Sequence, residues 1–221
     1  PSVSILKFDI SDHSKIEEFV ENVQPKEELD IQGKKEEEPT AGNTLIETRK
    51  KEDVDEDGKK RGVMVAVRAS REAVETAMAS LSAEEQAVVS VASVNGPSSV
   101  VVSGAAGAVH AVLEQLGSSG AKGRRLEVSH AFHSPLLDPM LESFERFAAG
   151  VTYQVPRLKI ISNLTGAPYP TGKAPDARYW RDHARGAVRF ADCMAAVEAA
   201  GADILVEIGP HPALLGLAAR A

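Results

Sequence analysis

The sequence predicts an α/β protein built in two stages behind a charged leader. A ferredoxin-like (βαββαβ) unit is expected over 61–130, and part of a larger α/β unit over 131–221. Three observations predict this. Short valine-rich runs and two helical patterns alternate after Arg61 in the order β-α-β-β-α-β, the split arrangement of that small unit. From Leu158 the pattern becomes strand, long helix, strand, helix, which implies a parallel α/β layer. Residues 1–60 hold 10 Lys/Arg against 17 Asp/Glu, while the rest of the chain is balanced at 15 of each.

The leader reads as a solvated tether. Mixed-charge runs such as Lys34–Glu38 and Lys51–Lys60 carry few apolar anchors. Such a segment buries too little apolar surface to offset an ordering cost of roughly 1–2 kcal/mol per residue. A short strand at Ser2–Ile10 and a helix at Asp12–Val23 are possible within it. The chain does not start with Met, as expected of a fragment or a processed product.

In the small unit, Val63–Val67 follow Gly62 as a buried strand. Ser70 offers an N-cap, with Glu72 in the first turn, for a helix ending near Ala79. Ala87–Val94 is a strand, Asn95-Gly96-Pro97 a turn, and Val100–Val102 a returning strand. Val109, Val112, Leu113 and Leu116 share one helical face, and Gly117 can end that helix. Arg124–Val128 closes the unit.

In the second unit, Ser134-Pro135 is an N-cap followed by proline in the first turn. Leu136 to Ala148 keeps helical spacing until Gly150. Leu158–Ile161 is read as a buried strand, and Tyr179–Ala200 as mostly helix, broken near Gly186. Asp203–Ile208 is a second buried strand, then a turn and a helix through Leu214, Leu215 and Leu217. Two strands make too narrow a sheet with both faces covered, so further strands are expected to complete it.

Composition excludes several classes. The hydrophobic fraction of 43% suits a soluble globular core, and the single Cys193 excludes a disulfide framework. No CxxC or Cys/His cluster points to zinc. Neither part of the chain has the basic surplus of a nucleic-acid binder. No apolar run of about 18 residues predicts a membrane span, and no signal peptide is visible. A reducing, cytoplasmic setting is the expectation.

The densest chemistry is His130-Ala131-Phe132-His133-Ser134, at the junction of the two units, where crevices commonly hold ligands. His133 directly precedes a helix start, whose partial positive charge disfavours imidazolium. The neutral ring is what a general base needs near pH 7. A plain capping or space-filling histidine fits the spacing equally.

This segment resembles the HAFHS motif of malonyl-selecting acyltransferase domains in modular polyketide synthases. The resemblance extends over Val94–Gly104, Ile161–Gly166, Tyr179–His183, Val188–Phe190 and Val206–Pro212, in family order across about 62–221. It implies that 131–221 is the C-terminal part of an α/β-hydrolase-like acyltransferase subdomain. It implies Ser–His ping-pong transfer of malonyl from malonyl-CoA to the phosphopantetheine thiol of an acyl carrier protein. The partners implied are that carrier protein, malonyl-CoA and other synthase domains, with no tightly bound cofactor and no metal.

Carried over by motif, His133 is the acid–base histidine. The family orients it through a main-chain carbonyl, and the matching position is His183; its ring is otherwise read as a surface histidine. His130 and Phe132 match substrate-selectivity positions, where a bulky Phe132 would exclude an extra methyl, a discrimination of about 1–3 kcal/mol. Phe132 as ordinary core packing is the alternative. Asn95 either faces the substrate pocket or simply makes the turn, and His211 is read as structural.

Parts of the family pattern are missing. No G-x-S-x-G occurs in the 221 residues, and neither the family's oxyanion-hole glutamine nor its carboxylate-binding arginine has a match. Arg124, Arg125 and Arg189 do not fit that arginine's motif. The chain is therefore expected to be inactive alone. A non-catalytic relic or interaction module of a synthase is the alternative, and an acyl-clearing hydrolase a weaker third.

Overall fold

The computed structural model describes residues 4–6, 62–117, 122–209 and 212–221. Its largest feature is a four-stranded antiparallel sheet. β2 (Gly62–Val67), β3 (Val89–Gly96), β4 (Ser99–Ala105) and β5 (Gly123–Arg125) lie in the order β3-β4-β2-β5. Between β2 and β3 come α1 (Arg71–Ala79) and the short α2 (Ala83–Gln86); α3 (Ala106–Gly117) joins β4 to β5.

Local chemistry explains these elements. The Ser70 side chain accepts from the Ala73 N–H at 3.2 Å, capping α1 where the sequence placed the cap. Ser82 and Glu85 form a capping box on α2. In β2 the side chains alternate: Val65 and Val67 join the main core, and Met64 and Ala66 point to the opposite face. Val100 and Val102 of β4 join the main core beneath Val74 and Ala77 of α1 and Val109, Val112 and Leu116 of α3. Each fully buried valine contributes roughly 1.5–3 kcal/mol.

The second face is smaller and positions the candidate site. Met64, Ala92 and Val101 are buried there, with Leu126 and Phe132 packed against them. Ala92 reaches this face by strand alternation, since Val89 and Val91 face the main core, and the register of β3 on β4 shifts just beyond it, between Val91 and Ser93.

Beyond β5, a one-turn 3₁₀ helix at Pro135–Leu137 runs into α4 (Asp138–Ala148). Then come β6 (Ile161–Ser162), β7 (Ala167–Pro168), α5 (Ala177–Arg185), α6 (Phe190–Ala199), β8 (Leu205–Glu207) and α7 (Leu214–Ala218). The helices match the periodicity, including the break at Gly186. The strands do not. Leu158 and Ile160 are 73% and 45% exposed and lie outside the two-residue β6, which pairs antiparallel with β7. Ile204 and Ile208 are 52% and 60% exposed. β8 pairs in parallel with β1 (Ser4–Leu6), not with β6. The expected buried parallel pair is thus two separate two-stranded ladders. Apolar runs signal strand character, but pairing is decided by what lies alongside. The leader helix expected at Asp12–Val23 and His211 lie outside the described residues.

Candidate active site around His133

His133 follows the second face of the sheet and precedes the 3₁₀ turn. Its backbone is left-handed, with φ +58°, the one non-glycine residue so placed among those described. That conformation costs a residue with a side chain on the order of 1–3 kcal/mol, and surrounding bonds must hold it. Those bonds are visible. The Ser90 hydroxyl, from β3, donates to the His133 carbonyl at 2.7 Å. The buried Ser134 hydroxyl donates to the Ala131 carbonyl at 2.6 Å and accepts from the Leu136 N–H at 3.3 Å, capping the turn.

The ring is half-buried, and its Nδ1 lies 2.8 Å from the Gly186 carbonyl. A carbonyl only accepts, so Nδ1 carries the hydrogen and Nε2 is the basic nitrogen. Gly186 caps the C-terminus of α5, where the last carbonyls have no partner within the helix. The His183 carbonyl belongs to that set, and the His183 main chain also acts on the ring.

Burial pushes the His133 pKa below the ordinary 6.5, while the Gly186 and His183 main-chain contacts pull it up. Desolvation wins. The helix N-terminus invoked from the sequence is not the leading cause. His183 is lowered too, first by burial and then by the neighbouring His133. The His183 ring is not a free surface group. Its centroid is 6.2 Å from His133, 6.2 Å from Tyr179 and 6.0 Å from Trp180. Tyr179 in turn shares a hydrogen bond of 2.8 Å with the buried Ser162 hydroxyl.

Gly186 reaches His133 because the segment after it docks on the sheet. The Val188 N–H donates to the Ala92 carbonyl at 2.8 Å, and the Val94 N–H donates to the Val188 carbonyl at 2.9 Å. Val188 thereby extends the β3 edge as a parallel bridge opposite Ser93. Ion pairs between Arg185 and Asp138, and between Arg181 and Glu145, tie α5 to α4.

The other expected residues are spread around this centre. Phe132 packs on the second face of the sheet, and its ring lies 5.9 Å from that of His130. His130 is exposed, with Nδ1 3.0 Å from the Ser129 hydroxyl. Asn95 accepts from the Ser93 hydroxyl near the end of β3. The structure therefore brings His133 and His183 together, and His130 beside Phe132. Gly186 entered the sequence reading only as a helix break, and Ser90 not at all. Ser90's one sequence signal is a hydroxyl inside the run Val88-Val89-Ser90-Val91, too common to single out.

The known proteins similar to this chain decide its family. The acyl transferase domain profile matches residues 50–221. The chain belongs to the acyl transferase domain family. Polyketide synthase GfsA of Streptomyces halstedii is 47% identical to this chain over 156 residues, which are 71% of the chain and 2% of that protein. Mycoketide-CoA synthase of Mycobacterium tuberculosis is 47% identical over 154 residues, 70% of the chain and 4% of that protein. Among solved structures, the acyltransferase domain from the second module of the salinomycin polyketide synthase matches with a TM-score of 0.67 and 46% identity. That match covers 72% of this chain and 36% of the other. The malonyl CoA-acyl carrier protein transacylase of Clostridium perfringens matches with a TM-score of 0.65 and 26% identity, over 76% of this chain and 52% of the other. The chain thus spans a few per cent of these curated synthases and about a third of the salinomycin domain. Its match begins at residue 50, some twelve residues before the resemblance read from motifs. Among the described residues, no helix is long and apolar enough to cross a membrane, and no three His, Cys, Asp or Glu side chains form a metal cluster.

Proposed function

We propose that this chain carries the acid–base histidine of a polyketide-synthase acyltransferase, which moves malonyl from malonyl-CoA to the phosphopantetheine thiol of an acyl carrier protein. One observation carries the reading: Nδ1 of His133 faces the Gly186 carbonyl, which directs the basic lone pair to Nε2. The nucleophilic serine hydroxyl comes from outside these 221 residues, which contain no G-x-S-x-G.

In this reading Nε2 takes the serine proton as the serine oxygen bonds to the malonyl carbonyl carbon. The thioester C–S bond then breaks, and the proton passes to the departing coenzyme A sulfur. In the second half, Nε2 takes the proton of the carrier thiol as its sulfur attacks the acyl-serine. That proton returns to the serine oxygen as the ester opens, so the enzyme ends unchanged. The lowered pKa of His133 supports this, since the ring is neutral and ready to accept at pH 7.

Phe132 and His130 form the selectivity pair of the proposal, with Phe132 filling space that an extra methyl would need. The antiparallel order β3-β4-β2-β5, with α1 and α3 on one core, supports a ferredoxin-like assignment for 61–130. Residues 131–221 are then the C-terminal part of the larger acyltransferase subdomain, and 1–60 a leader. In a complete domain containing this segment, His133→Ala should slow malonyl transfer by about 10²–10⁴-fold. Radiolabelled transfer to a carrier protein measures it, and a near-normal rate would defeat the reading.

A further inference from the structure

β3 holds both halves of the histidine contact. Along one strand, Ser90 binds the His133 carbonyl, while the main chains of Ala92 and Val94 bind Val188, two residues beyond Gly186. The distance from Nδ1 to the Gly186 carbonyl is therefore referred to a common ruler. The 186–188 side is fixed by two main-chain bonds that no side chain can alter. The His133 side is fixed by the hydroxyl of Ser90, acting across 43 residues of chain on the His133 carbonyl, while Ser134 caps the turn that follows.

We propose that Ser90 is a positioning residue for His133: its hydroxyl holds the His133 main-chain carbonyl and so sets which ring nitrogen meets the Gly186 carbonyl. Ser90 does not touch a reacting atom. Its effect passes through the His133 peptide to χ1 and the ring plane. Without the hydroxyl, the peptide loses the bond that opposes relaxation of its φ, and the ring can turn so that either nitrogen donates.

The functional meaning of this role rests on His133 being the proton carrier, but its test does not. The full 221-residue chain, labelled with ¹⁵N-histidine, is examined by long-range ¹H–¹⁵N correlation at pH 7.5, and the His133 signals are identified by their loss in His133→Gln. The unsubstituted chain should show His133 as the single Nδ1–H tautomer. Ser90→Ala should lose that single-tautomer pattern and give averaged ring shifts, with His110, on the far side of the sheet, unchanged. Ser90→Thr, which keeps the hydroxyl, should restore it. A folded Ser90→Ala chain with an unaltered His133 pattern overturns the proposal. If Ser90→Ala does not fold, Ser90→Cys, of similar volume but a weak donor, replaces it under the same two outcomes. A transfer assay of His133→Ala tests the proton-carrier reading separately, so either idea can fail while the other stands.

Discussion

His133 shows how a single residue can be held against its own preference. Its left-handed backbone is unfavourable, yet the Ser90 and Ser134 hydroxyls bind the flanking peptides and leave the ring directed at Gly186. Directly across from Ser90 on β4 lies Ser103, fully buried, with no hydrogen-bond partner for its hydroxyl among the described residues. A buried hydroxyl without a partner costs about 1–3 kcal/mol. Ser103→Ala should therefore raise stability by about 1 kcal/mol in urea denaturation; a loss of similar size would reveal a bond, for instance to an ordered water. The place of His133 before a capped turn was legible in the sequence, because Ser134-Pro135 adjoin it, while its acid–base role comes from the motif resemblance and stands as a proposal. Its partners were not, since Ser90 and Gly186 lie 43 and 53 residues away.

At the scale of elements, the close of α5 is the sensitive point. A β-carbon on Gly186 would sit 2.9 Å from the Asp182 carbonyl oxygen and 2.9 Å from Leu164 Cδ1. The helix backbone does not yield freely, whereas the half-buried Leu164 can move its Cδ1 aside. Gly186→Ala should cost roughly 1–3 kcal/mol, the usual penalty of overpacking, and draw the Gly186 carbonyl away from His133. Thermal unfolding together with the His133 ring shifts would check it, and an unchanged melting temperature would contradict the crowding. The ion pairs of Arg185 with Asp138 and Arg181 with Glu145 set the lateral placement of α5 on α4. They are partly exposed, and pairs of that kind are individually weak. Helix periods and caps were readable residue by residue, as Ser70 shows for α1. Strand extents were not. Leu158–Ile161 looked buried because it is apolar, yet Leu158 is largely exposed and only Ile161 of that run belongs to β6.

For the whole molecule, the two histidines couple folding to pH. Burial lowers the pKa of both His133 and His183 below 6.5. The unfolded chain therefore binds their protons first as pH falls, and stability must decline with it. The contribution is intact above about pH 6.5 and is lost as the pH drops through the lower folded values. Urea unfolding at pH 7.5 and at pH 5 should show the decline, and His133→Gln combined with His183→Gln should flatten it. An equal slope in the double variant would place the titration elsewhere. Sequence alone determined the longer helices after Arg61, the valine-rich antiparallel core and the family, because each is written in spacing or motif within a few tens of residues. Tertiary structure alone decided that β3 bonds both His133 and Val188, two residues beyond the acceptor Gly186, and that β8 pairs with β1 and not with β6. Those outcomes depend on which backbone edges and hydroxyls meet across long stretches of chain, and no local period encodes such a meeting.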